Sequence, residues 1–196
     1  MKHAFALFGL LTTLATAVGA DDIEDQIKQG LEAYKGKEYK VAIDDLNYAI
    51  AQIQERLNGE NATLLPEPLD GWTASEVQNA SAGMAMFGGG TTMSRSYSRA
   101  GETVEITLTA GSPMVAAAMA MMNNPMLLSS DPSLKPYRYK RINGMKKQDG
   151  DRIEVTLGMA GQIMVQIDAS GVAGEDVVKQ YLDAMDFERI QQAFLQ

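Results

Sequence analysis

Thr103-Val104-Glu105-Ile106-Thr107-Leu108-Thr109 is followed, after Ala110-Gly111, by Ser112-Pro113-Met114-Val115-Ala116-Ala117-Ala118-Met119-Ala120-Met121-Met122, and the architecture turns on this stretch. Its first half places Val104, Ile106 and Leu108 on one side of an extended chain, the period of two that marks a half-buried strand. Its second half opens with a serine cap and a proline at the first helical position, then continues as an apolar helix. On the N-terminal side, a partner strand through Arg95-Ser96-Tyr97 turns at Ala100-Gly101 and returns through Val104. On the C-terminal side, more strands are expected to form a sheet that the helix covers.

Those strands follow Asn123-Asn124-Pro125 and a loop from Leu127 to Pro136. Tyr137 to Ile142 leads into Asn143-Gly144, the strongest short hairpin signal, and Met145 to Gln148 pairs back. Asp149-Gly150 makes the next tight turn. Ile153, Val155 and Leu157 alternate toward a core; after the turn from Gly158 to Gly161, so do Ile163, Val165 and Ile167. Beyond a loop from Gly171 to Gly174, Glu175 to Met185 is helical, and Asp186 caps a short last helix carrying Phe187, Ile190 and Phe194. Strands joined by hairpin turns, with helices, predict an α+β domain: an antiparallel sheet covered by helices on one face.

The N-terminal part differs. Lys2 and His3 precede an apolar run from Ala4 to Val18, and Val18-Gly19-Ala20 puts small residues at the −3 and −1 positions of a cleavage site. The pattern predicts a secretory signal peptide over 1–20, cut after Ala20, because the apolar run is shorter than the ~20 residues of a membrane span. The expected product is a soluble protein exported across the inner membrane to the periplasm. Asp21 to Gly59 reads as a helical hairpin, with Asp22 as an N-cap three residues before Asp25. Ile23, Ile27, Leu31 and Tyr34 form one stripe, Lys35-Gly36-Lys37 breaks it, and Ile43, Leu46, Ile50, Ile53 and Leu57 form the second stripe, with Gly59 as its stop. Residues 60–71 form a linker, in which Pro66 and Pro68 bar helix and Leu64, Leu65 and Leu69 give apolar anchors. The sheet domain then spans 72–196, opening on Trp72, which packing reads as a plug for the core edge and a sharper reading makes a stacking platform.

Gly36-x-x-Tyr39-x-x-Ala42-Ile43-x-x-Leu46-x-x-Ala49-Ile50, with Gly30 twelve residues before Ala42, resembles the turn and second helix of a tetratricopeptide repeat. The family's closing proline is absent and no second copy follows. The resemblance therefore implies an antiparallel helix pair, which packs on the main domain, on its own copy or on a partner; a stacked groove needs about three repeats. The plan from Gly71 to Ile190, with its Gly71-Trp72 opening and Ile142-Asn143-Gly144 hairpin, is similar to the PsbP-like and DcrB-like domains. That resemblance implies a scaffold or accessory role rather than an enzyme, and lends no functional residue. DcrB-like members are lipoproteins, and this chain has no cysteine to acylate.

Composition excludes several chemistries. The chain has no cysteine, and its single histidine, His3, leaves with the expected leader. The remaining chain therefore holds no Ser-His-Asp triad, Cys-His pair, or His- or Cys-ligated zinc. Carboxylate pairs such as Asp44-Asp45 and Asp183/Asp186 fall in helical patterns as solvated faces, so no catalytic residue, resident cofactor or enzyme activity is assigned. Without Lys2 the chain carries 16 basic against 25 acidic residues, a net charge of −9, which disfavours nucleic acid as a partner.

Two groups of residues remain as binding candidates. Met114, Met119, Met121, Met122 and Met126 cluster along the central helix, with Met84 and Met86 as further thioethers, and thioethers suit Cu(I). The packing reading takes the spacing of Val115, Met119, Met122 and Met126 as a seam, with Phe87 and the glycines at 88–90 as a flap over a helix that needs burial, or that meets a second copy or an apolar ligand if half covered. The second group is basic: Lys135, Arg138, Lys140, Arg141, Lys146 and Lys147 flank the Asn143-Gly144 turn with no acid between Ser133 and Gln148. Alternation sets Tyr137, Tyr139 and Arg141 on one face and Arg138, Lys140 and Ile142 on the other. Edge protection is the simpler reading of these cations, and docking on anionic lipid headgroups or an acidic partner the sharper one. The chain is thus expected to be a non-enzymatic periplasmic binding or scaffold protein acting on an unidentified protein partner or as a homo-oligomer, with Cu(I) handling as the alternative.

Overall fold

The computed structural model describes residues 20–79, 90–124 and 131–195. Residues 1–19 of the expected leader, the glycine-flanked Met84, Met86 and Phe87, and Met126 lie outside the described residues. The chain divides into two units, Met1–Leu57 and Asn58–Gln196.

α1 (Ala20–Lys35) and α2 (Tyr39–Ala62), the latter running past the end of the first unit, form the expected hairpin, with Lys37 in the left-handed region between them. Two boundaries differ from expectation. Helical backbone already starts at Ala20, so Asp22 lies in the first turn rather than at the cap. And α2 runs through Gly59 to Ala62, because a lone glycine costs only about 1 kcal/mol in a helix and here no left-handed turn follows it. The two helices meet on small side chains. A Cβ on Gly30 would stand 2.9 Å from Leu46 Cγ, Ala42 and Ala49 are buried, and Gln26 Nε2 donates to Asp45 Oδ1 at 3.0 Å.

The second unit is an antiparallel sheet of β1 (Thr73–Ala74), β2 (Gln78–Asn79), β3 (Thr91–Arg99), β4 (Glu102–Ala110), β5 (Leu134–Tyr139), β6 (Ile142–Asp149), β7 (Arg152–Met159) and β8 (Ile163–Ser170). Strand order is β1-β3-β4-β8-β7-β6-β5, with β2 beside β1 on the outer edge of β3. The helices are α3 (Pro113–Met122), α4 (Asp176–Ala184) and α5 (Phe187–Phe194). Alternation gives the sheet two unlike faces. Val104, Ile106, Leu108, Val155, Leu157, Val165 and Ile167 are fully buried on one of them, in a core shared with Val178, Tyr181 and Leu182 of α4 and Ile190 of α5. Leu64 and Leu65 of the linker, with Trp72 just after it, join that core. Trp72 stands edge-on to Tyr181 at 5.6 Å and beneath Arg99 at 4.7 Å, and Tyr97 donates to the Pro66 carbonyl at 2.7 Å. Trp72 is thus a packing residue.

Three local readings hold closely. Ala100 and Gly101 both take positive φ and close the β3–β4 turn. Ser112 Oγ accepts from Met114 N at 3.3 Å with Pro113 at the first helical position, and Asp186 accepts from Arg189 N at 3.0 Å. The Asn143-Gly144 turn is corrected. The β5–β6 tip is Lys140-Arg141, both with positive φ, and Tyr139 pairs with Ile142. Asn143 and Gly144 lie inside β6, paired with Gly158 and Leu157 of β7. A Cβ on Gly144 would meet Thr156 O at 2.1 Å, so the glycine serves close strand approach rather than a turn. It follows that Ile142 shares the face of Tyr137 and Tyr139 and packs on the main core, not on the face of Arg138. Pro136, expected in a loop, occupies the edge strand β5, the position in a sheet where proline is tolerated.

Candidate functional site

The face of the sheet opposite the core carries the candidate site, and β-register sets its layout. One cross-strand row reads Thr92, Thr109, Met164, Gly158, Asn143 and Arg138 from β3 to β5. On this row sits α3, which takes this face while α4 and α5 take the core face. Val115, Met119 and Met122 are its buried residues, and Ala118, Met145 and Met164 pack against them. Gly158 is the seat: a Cβ there would stand 2.8 Å from Met122 Cε and 3.2 Å from Met119 Cε. Of the expected seam of Val115, Met119, Met122 and Met126, the first three are buried together, and Met126 lies outside the described residues. Burial all round does not hold, since Met114 is 67 % exposed and Ala116, Ala117 and Ala120 are exposed. A helix without one polar side chain thus covers a corner of a polar face and presents an apolar flank outward.

Of the five methionines singled out by sequence, Met126 lies outside the described residues and the other four do not form one cluster. Met114 points to solvent, Met121 is half-buried, and Met119 and Met122 turn inward. The thioethers brought together are Met119 and Met122 with Met145 of β6 and Met164 of β8. Sequence proximity missed the last two, because only the register of β6, β7 and β8 places them under the helix. Among the described residues, no group of three or more His, Cys, Asp or Glu side chains is arranged to hold a metal.

The cations divide into paired and unpaired. Lys146 pairs with Glu175, and both side chains are about one-fifth exposed. Its hydrogen bond, followed by that of Lys179, holds the Glu175 carboxyl below its ordinary value. Lys140 Nζ lies 3.1 Å from Asp183 and 5.1 Å from the Tyr139 ring centroid, and the Tyr139 hydroxyl donates to the same carboxylate. The Tyr139 hydrogen bond first, then that of Lys140, lowers the Asp183 pKa. Lys135, Arg138 and Arg141 are exposed and form no ion pair among the described residues. Arg138 stands on the face of α3, two strands out from Gly158, which is roughly 10 Å at the usual strand spacing. Lys147 also lies on this face, opposite Glu154.

Four residues along β7, roughly 13 Å from Gly158, the same face turns acidic. Glu105, Asp168 and Glu154 stand side by side on β4, β8 and β7. Like charges directly opposite one another destabilise a sheet, and the row is offset by neighbours. Arg152 forms an ion pair with Asp168, and Gln166 Nε2 donates to Glu154 Oε1 at 3.0 Å. Around Glu105 and Asp168, the hydroxyls of Ser96, Ser98, Thr103 and Ser170 line an open depression of about 580 Å³. Sequence alternation marks these residues as outward, yet only the β4–β8–β7 register makes them neighbours.

Comparison with family models, with curated proteins and with solved structures gives no significant match. The site is therefore read from its own geometry. No helix among the described residues is long and apolar enough to cross a membrane.

Proposed function

We propose that this is a secreted, non-enzymatic binding or scaffold protein of the periplasm, whose sheet unit rests on an anionic surface, a lipid headgroup layer being the favoured one. The observation that carries the reading is the pairing, on one sheet face, of an apolar helix flank with the unpaired Arg138 nearby. An apolar flank beside an unpaired cation suits the boundary between acyl chains and anionic headgroups, and each cation near such a surface contributes about 1 kcal/mol. The Glu105–Asp168–Glu154 row at the other end of the face opposes approach there, so one orientation is selected.

The test is sedimentation with anionic and with neutral vesicles at low and high salt. Binding is expected only to anionic vesicles, weakened by salt, by Arg138→Glu with Arg141→Glu, and by Met114→Asp. Lys140 and Lys146 are poorer targets, being already engaged by Asp183 and Glu175. Salt-insensitive binding, or equal binding by the double variant, would rule the reading out.

The gathering of Met119, Met122, Met145 and Met164 around Gly158 supports a second reading, Cu(I) binding through thioethers. Competition against a Cu(I) chelator measures it. Affinity no tighter than micromolar leaves these methionines as the pliable filling of a small core.

A further inference from the structure

We propose that the N-terminal hairpin is a self-association module, in which α1 and α2 of two copies pack face to face as an antiparallel four-helix bundle. The inference concerns the first unit alone and stands or falls separately from the reading of the sheet unit.

The hairpin hides almost none of its large apolar side chains. Ile27, Leu31 and Tyr34 of α1, and Ile43, Leu46, Ile50, Ile53 and Leu57 of α2, are each between 38 % and 61 % exposed. What the helices bury against each other is Gly30, Ala42 and Ala49, with the Gln26–Asp45 hydrogen bond alongside. Each exposed stripe sits one residue after a contact residue: Ile27 after Gln26, Leu31 after Gly30, Ile43 after Ala42, Ile50 after Ala49. A step of one residue turns a right-handed helix by about 100°, and antiparallel neighbours turn in opposite senses seen from one end. Both stripes therefore come to the same side of the pair and form one continuous apolar face.

The spacing identifies the occupant as helical. Ile43, Leu46, Ile50, Ile53 and Leu57 recur at three, four, three and four, the 3.5-residue period of a helix-on-helix seam. The flanks admit an identical copy. Asn47, Ala49 and Gln54 beside the seam are uncharged, with Arg56 the charged exception. On α1, Lys28 is paired with Glu24 and Asp25, and Lys35 with Glu32, within the same helix. Like-charge repulsion between copies is thus small. The face offers roughly 700 Å² per copy, and about 1,400 Å² buried in a pair falls inside the range of specific interfaces. Most helical stability in proteins comes from packing an apolar face, so a partner for this face also supports the hairpin.

The experiment uses the full chain, freed of the expected leader, in light scattering after size exclusion across a dilution series. The expected result is a dimer that dissociates on dilution. Ile43→Glu with Ile50→Glu should lose the dimer peak while leaving the denaturation midpoint of the sheet unit in place. Tyr48→Glu, on the opposite side of α2, should leave the dimer intact. Because the chain lacks cysteine, a lone Ile50→Cys near the centre of the seam should oxidise to a covalent dimer, and a lone Tyr48→Cys should not. That second readout does not depend on the glutamate variants folding. A monomer at every concentration, a dimer indifferent to Ile43→Glu/Ile50→Glu, or equal crosslinking at positions 48 and 50 would each overturn the proposal. So would association that appears only when a different protein is added.

Discussion

Ile153, Val155, Ile163 and Ile167 in the sheet unit and Ile43, Ile50 and Ile53 in the hairpin belong to equally regular apolar patterns. The first four are sealed from solvent, and the other three are about half exposed. Among the described residues, eleven of the thirteen large apolar side chains left exposed belong to the hairpin. The difference is one of layers. The core face of the sheet has α4, α5 and the linker laid over it. Two helices alone enclose nothing, because each can cover only one flank of the other. Periodicity therefore states which geometry of partner a segment needs, but not whether the chain supplies that partner.

The largest expected effect breaks or upholds this contrast directly. Tyr181 is fully buried between Trp72 and Tyr97, so Tyr181→Ala should cost about 3–5 kcal/mol in chemical denaturation. Ile50→Ala, measured below the concentration of self-association, should cost less than about 1 kcal/mol, because its side chain is already half in water. Equal costs would mean that the hairpin has a core of its own. Next comes backbone approach. Gly144→Ala should destabilise the sheet unit by about 3 kcal/mol, since its Cβ would meet the Thr156 carbonyl. In α2, a Cβ added to Gly59 would have nothing within 4 Å of it, and Gly59→Ala should add up to about 1 kcal/mol of helix stability.

A third test separates the sheet unit by pH. Burial pushes the Tyr181 phenol up to about 12, and burial likewise raises Tyr97 against the opposing charge of Arg95. A phenol is neutral when protonated, so the folded state holds these protons more tightly than the unfolded chain. Their stabilising contribution is full below the ordinary value of 10.0 and is lost as pH rises from there toward about 12. Alkaline unfolding followed in the near-ultraviolet should begin in that window, and Tyr181→Phe should flatten it. A slope unchanged by Tyr181→Phe would show that the phenol is not what titrates. The smallest effect concerns the β5–β6 tip. Arg141 holds φ at 71°, a region costly to a residue with a Cβ, so Arg141→Gly should raise stability by about 1 kcal/mol. If Asn143-Gly144 formed the turn instead, that change would be neutral.

Much of the fold was legible because its signals are local. The alternation of Val104, Ile106 and Leu108, the Ser112-Pro113 helix start, the Ala100-Gly101 turn and the Asp186 cap each depend on backbone preferences within a few residues. They hold in the structure, together with the α+β class and the helical pair. What failed was long-range. A tip at residues 143–144 and a tip at 140–141 both pair odd residues of β5 with even residues of β6, so they differ in facing only for residues near the tip such as Ile142. The choice falls to β7, which needs the bare Cα of Gly144 against Thr156 and brings Ile142 into the core.

Residue order alone was enough for the elements, their approximate ends, the acidic charge and the lack of any cysteine. Those properties depend on composition or on neighbours along the chain. Folding in three dimensions was needed to set α3 opposite α4 and α5, to join Met145 and Met164 to Met119 and Met122, and to stand Glu105, Asp168 and Glu154 in one row. It also left the hairpin stripe uncovered. The reason is physical: register and layer are set by contacts between residues far apart in the chain, and a periodic pattern carries its own phase but not that of its neighbour.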